Sequence, residues 1–278
     1  MFVSQYRYKP LIMGILNLTP DSFSDGGKFV RKEQALSWAA QMIEEGADLI
    51  DIGGESTRPG AQSIPVTEEL DRTIHIVETL HQQFPSTTLS IDTTKYEVAR
   101  EALKAGATVI NDVSGGSDIR ILGLLEEYTE AKVILMHRKG DPKSMQVDPH
   151  YSQGAVTEVK AYLESRVRVF NESGVGKNRL WVDPGIGFGK NLNHNLDLLR
   201  HLKQFVTIGE RLVIGTSRKS FLEKLLGSEP LAMEDRNPGT LASNLWAYQS
   251  GASVFRVHEV GDFKRALQTW EAILNGCL

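Results

Sequence analysis

The chain has 278 residues, 41% hydrophobic and 24% charged, with a formal net charge of −4. This is the composition of an ordinary globular protein, and its acidic balance argues against a nucleic-acid partner, which favours a basic face. A single cysteine, Cys277, leaves no internal disulfide, and no stretch approaches the ~20 apolar residues of a membrane span.

Apolar runs predict eight strands: Leu11–Leu18, Asp48–Gly53, Thr88–Asp92, Thr108–Val113, Lys132–His137, Leu180–Asp183, Leu212–Gly215 and Ser253–Val257. Most are continuous rather than alternating, which suits parallel strands buried on both faces. Helical periodicity follows them. Leu70, Ile74, Val77 and Phe84 repeat at helix spacing after the second strand, and Val159, Leu163, Val167 and Phe170 do so after the fifth. Phe263, Ala266, Leu267, Trp270, Ile273 and Leu274 form the last stripe. Such stripes are core-facing surfaces.

Eight β-then-α units predict a single-domain (β/α)8 TIM barrel over residues 1–278, a fold that takes about 250 residues. A doubly wound open sheet is the alternative. It would be expected to carry a glycine-rich phosphate fingerprint after the first strand; Asn17-Leu-Thr-Pro-Asp-Ser-Phe-Ser-Asp-Gly-Gly stands there instead. Two connections, from about Thr19 to Val30 and from about Gly54 to Val66, exceed the ~2–6 residues usual for such loops. Both leave the catalytic face of a barrel, so they are expected to be binding loops or lids.

Each strand ends in a polar residue: Asn17, Asp51, Asp92, Asn111 with Asp112, His137, Asp183, Ser217 through Lys219, and Arg256 with His258. A ring of such groups is costly to bury without partners, and in a barrel it converges on the C-terminal mouth. Asp51 and Asp112 each have two readings: a member of the site, or a group that only holds a loop or a neighbouring side chain. Asp92, Asn111 and Asp183 suit a ligand rich in N–H donors. Lys219, Arg256, His258 and Asn17, with Arg58 from the second long loop, suit an anion, since the arginine fork matches phosphate oxygens. The expected substrate has a nitrogen heterocycle at one end and a phosphate group at the other.

Some tempting patterns fail. Asp183-Pro-Gly-Ile-Gly-Phe-Gly-Lys-Asn has neither phosphate-loop nor dinucleotide spacing. Gly215-Thr-Ser-Arg-Lys is not a nucleophile elbow. The seven histidines show no H-E-x-x-H spacing, and His75, His81, His194 and His201 are expected to be solvated on helices.

Two segments carry a family resemblance. Asn17-Leu-Thr-Pro-Asp-Ser-Phe-Ser-Asp-Gly-Gly and Asp51-Ile-Gly-Gly-Glu-Ser-Thr-Arg-Pro-Gly-Ala resemble the two signatures of the dihydropteroate synthase family. Ile91-Asp-Thr, Ile110-Asn-Asp-Val, Leu135-Met-His, Asp183-Pro-Gly-Ile-Gly-Phe-Gly-Lys, Ser217-Arg-Lys-Ser and Arg256-Val-His follow in the family's order, so the resemblance spans essentially the whole chain. It implies the joining of 6-hydroxymethyl-7,8-dihydropterin diphosphate to 4-aminobenzoate, with release of pyrophosphate, in folate synthesis. It implies magnesium on the diphosphate, held by Asn17 with Asp25. Asp92, Asn111, Asp183 and Lys219 would bind the pterin, with Asp92, Lys219 and Arg256 catalytic. Arg256 would flank the ring and, with His258 and Thr57, hold the diphosphate. Phe23, Arg58, Pro59, Phe188 and Ser220 would shape the aminobenzoate pocket. The resemblance further implies a sulfonamide target and a homodimer; exposed aromatics near Trp246 or Trp270 would serve the latter, though core burial explains these tryptophans equally well. The N-terminus lacks a signal-peptide run, so the expected compartment is the cytoplasm. One departure is Arg138, where the family often has methionine; it reads as a surface change. A methyltetrahydrofolate-dependent methyltransferase would share the carboxylates but needs neither signature loop. An inactive pterin-binding paralogue would be expected to have lost Lys219, Arg256 or a signature. An unrelated phosphate-binding barrel enzyme remains plausible on fold alone.

Overall fold

Eight parallel strands close on themselves in the computed structural model, which describes residues 8–19, 28–57, 60–141, 144–227 and 231–276. They are β1 (Leu11–Asn17), β2 (Leu49–Gly53), β3 (Thr88–Asp92), β4 (Val109–Asp112), β5 (Lys132–Met136), β6 (Leu180–Asp183), β7 (Arg211–Ile214) and β8 (Val254–Val257). Each pairs with the next, and β1 closes on β8 with Met13 opposite Arg256. The expected barrel is therefore present, and each strand lies within two residues of its predicted bounds.

The helices among the described residues are α1 (Lys28–Glu44), α2 (Val66–Gln83), α3 (Tyr96–Lys104), α4 (Ile121–Glu127), α5 (Ala155–Glu172), α6 (Leu192–Arg200), α7 (Ser220–Leu226), α8 (Asn237–Gln249) and α9 (Val260–Asn275). Two helices, α7 and α8, separate β7 from β8, so the simple alternation breaks there. The stripe predicted on α5 is buried throughout. That on α2 is displaced: Thr73, Ile76, Val77 and Leu80 face the sheet, while Leu70 and Ile74 are half-buried and Phe84 is the C-cap. Thr73 turns inward because its hydroxyl donates to the Glu69 carbonyl one turn back. On α9, Phe263 and Leu267 are buried but Ile273 and Leu274 are 73% and 40% exposed, so the stripe does not stay buried to the end of the helix. His194 is not merely solvated: it completes a capping box with Asn191 at the start of α6.

Side chains alternate along a strand, so one parity points into the barrel and the other toward the helices. Met13, Leu49, Val109, Ile134, Trp181, Val213 and Val254 form a separate apolar layer that plugs the interior. Ile12, Ile50, Leu89, Ile110, Leu135, Val182 and Phe255 belong to the outer layer under the helices. Stepping up from the plug by two residues places Asp51, Asn111, Asp183 and Arg256 inside the barrel toward its C-terminal mouth. Asp112 and His137 have the opposite parity. The alternation thus divides the polar ring before any side-chain contact is considered.

Candidate active site

Asp51 sits fully buried at the centre of the mouth. Its Oδ1 accepts from Ser90 Oγ at 2.6 Å, and its Oδ2 accepts from Asn111 Nδ2 at 3.0 Å and Arg256 Nε at 2.6 Å. A carboxylate with three donors is well compensated for burial. Asp51 thereby fixes the rotamers of two other ring members, which is the holding role anticipated as one of its two possibilities.

Arg256 reaches across the mouth. Its Nη2 donates to Asp92 Oδ2 at 2.8 Å, so the guanidinium placed on the anion side of the ring spans to the heterocycle side. Burial works against its charge, but Asp51 and Asp92 hold it in the charged form. The second oxygen of Asp92, Oδ1, is buried without a hydrogen-bond partner. Burial raises the Asp92 carboxyl to about 7; Arg256 pulls it down, while Asp51, Glu69 and Asp112 add to the rise. A buried acceptor left open in a polar mouth is the kind of group a ligand N–H completes. Asn17, at the end of β1, brings its Oδ1 to the same neighbourhood: that oxygen and Asp92 Oδ2 each lie 3.8 Å from where a Cβ would stand on Gly53.

Asp183 and Lys219 face each other from β6 and the loop after β7. Burial raises the Asp183 carboxyl and Lys219 opposes the rise. Burial lowers the Lys219 amine to about 8, with Asp183 opposing. Lys219 Nζ donates to the Ile186 carbonyl at 2.5 Å and lies 4.7 Å from the centre of the Phe188 ring. This brings Phe188 and Lys219 together, as expected, whereas Ser220 is exposed at the first turn of α7. His258 Nδ1 lies 2.9 Å from Ser217 Oγ, tying β8 to the β7 loop. Between them Arg218 takes φ 57, an unfavourable conformation for a non-glycine residue, and pairs with Glu259.

The stem of the second long loop is anchored from α2 and α3. Lys95 bridges Glu55 at 3.1 Å and the buried Glu69, Arg72 Nη1 donates to the Gly54 carbonyl at 2.7 Å, and Ile64 N donates to Glu55 at 2.8 Å. Thr57 is half-buried on this stem. Phe23, Asp25, Arg58 and Pro59 lie outside the described residues.

The outward-parity members act differently. Asp112 accepts from Ser114 N, Ser114 Oγ and Gly116 N and so shapes the loop after β4. His137 meets the buried Lys190, whose Nζ is 3.0 Å from His137 Nδ1. Arg138 is half-buried and close enough to Asp112 and Tyr162 to draw both toward ionisation, which corrects its reading as a surface change. Sequence reading missed Ser90, Glu55, Lys95 and Lys190. Ser90 carried a signal, since it shares the inward parity of Asp92. Lys190 carried a weaker one: a lysine directly after a loop that closes a buried strand.

Comparison with known proteins fits this geometry. The family described as pterin binding enzyme matches residues 13–258. The dihydropteroate synthase of Escherichia coli strain K12 is 44% identical over 266 residues, covering 96% of this chain and 92% of that one. The Yersinia pestis dihydropteroate synthase in complex with a sulfonamide drug superposes with a TM-score of 0.88 at 42% identity, covering 96% of this chain and 95% of that one. The Xanthomonas albilineans dihydropteroate synthase with 4-aminobenzoic acid does so with a TM-score of 0.88 at 42% identity, covering 96% and 93%. A barrel whose inward polar ring leaves a buried carboxylate oxygen open, matched in sequence and fold along nearly its whole length, belongs to the dihydropteroate synthase family of pterin binding enzymes.

Proposed function

We infer that the barrel mouth condenses 6-hydroxymethyl-7,8-dihydropterin diphosphate with 4-aminobenzoate to give 7,8-dihydropteroate and pyrophosphate. The observation that carries the site assignment is the buried, unpartnered Oδ1 of Asp92 beside Asn111. A pterin offers an edge of N–H donors and ring acceptors. Asp92 and Asp183 accept from that edge, while Asn111 and Lys219 supply donors. Arg256 flanks the ring from its seat against Asp51 and Asp92, and with His258 and Thr57 binds the diphosphate.

In the reaction the bond between the pterin methylene carbon and the diphosphate oxygen breaks, and pyrophosphate leaves with the electron pair. The 4-aminobenzoate nitrogen attacks the methylene carbon and then loses a proton to solvent. Asp92 stabilises the positive charge that develops on the pterin, and Arg256 and His258 stabilise the departing anion. Phe188 and Ser220 contribute to the aminobenzoate site, with Phe23, Arg58 and Pro59 as their expected companions, and exclusion of water there protects the electrophilic carbon. A sulfonamide resembling aminobenzoate competes for the same place.

Magnesium suits the residues near β1. Among the described residues no group of three His, Cys, Asp or Glu could hold a metal, but magnesium prefers a few protein oxygens completed by substrate phosphates. Asn17 Oδ1 is such an oxygen, with Asp25 as its expected companion. When bound, the ion neutralises charge on the leaving diphosphate.

We propose a homodimer formed through α7 and α8. Leu225, Leu226 and Trp246 are each 47–49% exposed on these helices, whereas Trp270 packs against the core. Sedimentation of Trp246→Glu against the parent chain tests this; a wild-type monomer would exclude it. No helix among the described residues is long and apolar enough to cross a membrane, and we place the enzyme in the cytoplasm, where cell fractionation tests it.

The deciding assay incubates the protein with the pterin diphosphate, 4-aminobenzoate and magnesium and looks for dihydropteroate. Folded protein that forms none sinks the proposal.

A further inference from the structure

Four consecutive carbonyls in the loop after β6 are each held by a side chain. Lys219 Nζ donates to Ile186 O, Gln146 Nε2 to Gly187 O, Lys190 Nζ to Phe188 O at 3.0 Å, and Tyr151 Oη to Gly189 O at 2.9 Å. The loop can take this course because Gly185 and Gly189 have φ of 68 and 66, and a Cβ on either would stand 2.0 Å from His137 O or 2.1 Å from Lys139 O. Phe188 lies in the middle of this run, with Lys219 against its ring.

Lys190 is the unusual member. It is 2% exposed and, among the described residues, makes no direct salt bridge; the Asp183 carboxylate favours its charge only through space. Its Nζ instead meets Phe188 O, His137 O at 3.3 Å and His137 Nδ1 at 3.0 Å. Burial of a lysine that touches no carboxylate is costly, and Asp183 offsets that cost only in part, so an amine retained here calls for a specific use. Burial holds the Lys190 amine well below the ordinary lysine range and, with Lys190 beside it, lowers His137 to about 2. His137 is therefore neutral, and its Nδ1 completes the set in either state of the amine: it accepts from an ammonium or donates to a neutral amine.

We propose that Lys190 is a positioning residue for 4-aminobenzoate: it staples the β6 loop to His137 and thereby fixes Phe188 against Lys219. The proposal rests on the reading of Phe188 as a wall of the aminobenzoate pocket. Lys190 touches neither substrate; it acts through the backbone of the residue that does.

The test is a double-mutant cycle with Lys190→Met and Phe188→Ala, measured with both substrates. Lys190→Met should raise the KM for 4-aminobenzoate roughly tenfold, as expected when a wall shifts by a fraction of an ångström, and change pterin diphosphate affinity by less than about twofold. In the Phe188→Ala background the same substitution should add less than about twofold, because the two act as one unit. Equal losses for both substrates, or an undiminished effect without Phe188, would overturn the proposal. Hydrogen exchange at the amides of residues 185–190 gives a readout independent of turnover: it should accelerate in Lys190→Met while the strand amides stay protected. Unchanged exchange also overturns it. If wild type forms no dihydropteroate, the functional reading fails instead, and exchange still decides the staple. Should the Met variant fail to fold, Lys190→Gln keeps a shorter N–H donor and faces the same outcomes.

Discussion

Asp51 and Arg256, 205 residues apart in the chain, are linked across the mouth, with Nε donating to Oδ2 at 2.6 Å. Asp51 is wholly buried and Arg256 four-fifths so. The pair sets the floor on which Asp92 and Asn111 are arranged.

Asp51→Ala should therefore do more than remove one acceptor. It strips Ser90, Asn111 and Arg256 of a shared partner and leaves a buried cation half-compensated. Breaking such a pair costs about 3–5 kcal/mol. Chemical denaturation should show that loss, and calorimetry should show weaker pterin diphosphate binding. A variant of parental stability would mean that water compensates the site.

Asp112→Ala serves as the contrast. It removes three acceptor contacts to the loop after β4, and buried donors left unsatisfied cost about 1–3 kcal/mol each. Stability should fall by a few kcal/mol on that basis, while pterin affinity stays nearly constant because Asp112 has outward parity. Selective loss of pterin binding would put Asp112 in the site.

The pH dependence follows from Asp92 and Lys219. Asp92, raised to about 7, must be deprotonated to accept a pterin N–H, so activity should fall as pH drops below about 7. Lys219, lowered to about 8, loses its charge above that pH, so activity should fall again on the alkaline side. The profile of kcat/KM, which reports the free enzyme, should be a bell with limbs near these values. A flat profile through neutrality would refute both assignments.

Asp183→Asn keeps shape but replaces a charged acceptor. Loss of a hydrogen bond to a charged group, roughly 1.5–3 kcal/mol, should weaken pterin binding by about tenfold to a hundredfold. Titration calorimetry with a pterin lacking the diphosphate isolates this effect, and unchanged affinity would exclude the role.

Asn17→Ala should raise the magnesium concentration needed for half-maximal rate, on the order of tenfold for loss of one liganding oxygen and its orientation. Binding of a pterin without the diphosphate should be unaltered. An unaltered magnesium dependence would remove Asn17 from the metal site.

The barrel was legible in the sequence because its strands are continuous apolar runs of the right number and spacing. The ring was legible because polar residues at strand ends are conspicuous. Asp51 and Asp112 were ambiguous in one dimension and separate at once by parity, since Asp51 steps up from Leu49 and Asp112 follows the outward Ile110. Lys190 and Lys95 could not be assigned, because their partners His137, Glu55 and Glu69 lie in other β/α units. The break between α7 and α8 was lost because both are helical and no strand divides them. Strand position alone puts Arg256 on the anion side, because its length, which lets it span to Asp92, is invisible to such a reading; only the family resemblance set it beside the heterocycle as well.

The seam where β8 meets β1 has a consequence for how the chain acquires its site. Asp51 and Asp92 are synthesised long before Arg256, so a nascent chain holds their carboxylates without the cation that later compensates them. Until β8 pairs with β1, those carboxylates lack the cation that compensates their burial in the folded barrel. The strand that closes the seam is thus the strand that carries the cation, so barrel closure and completion of the polar ring depend on the same residues.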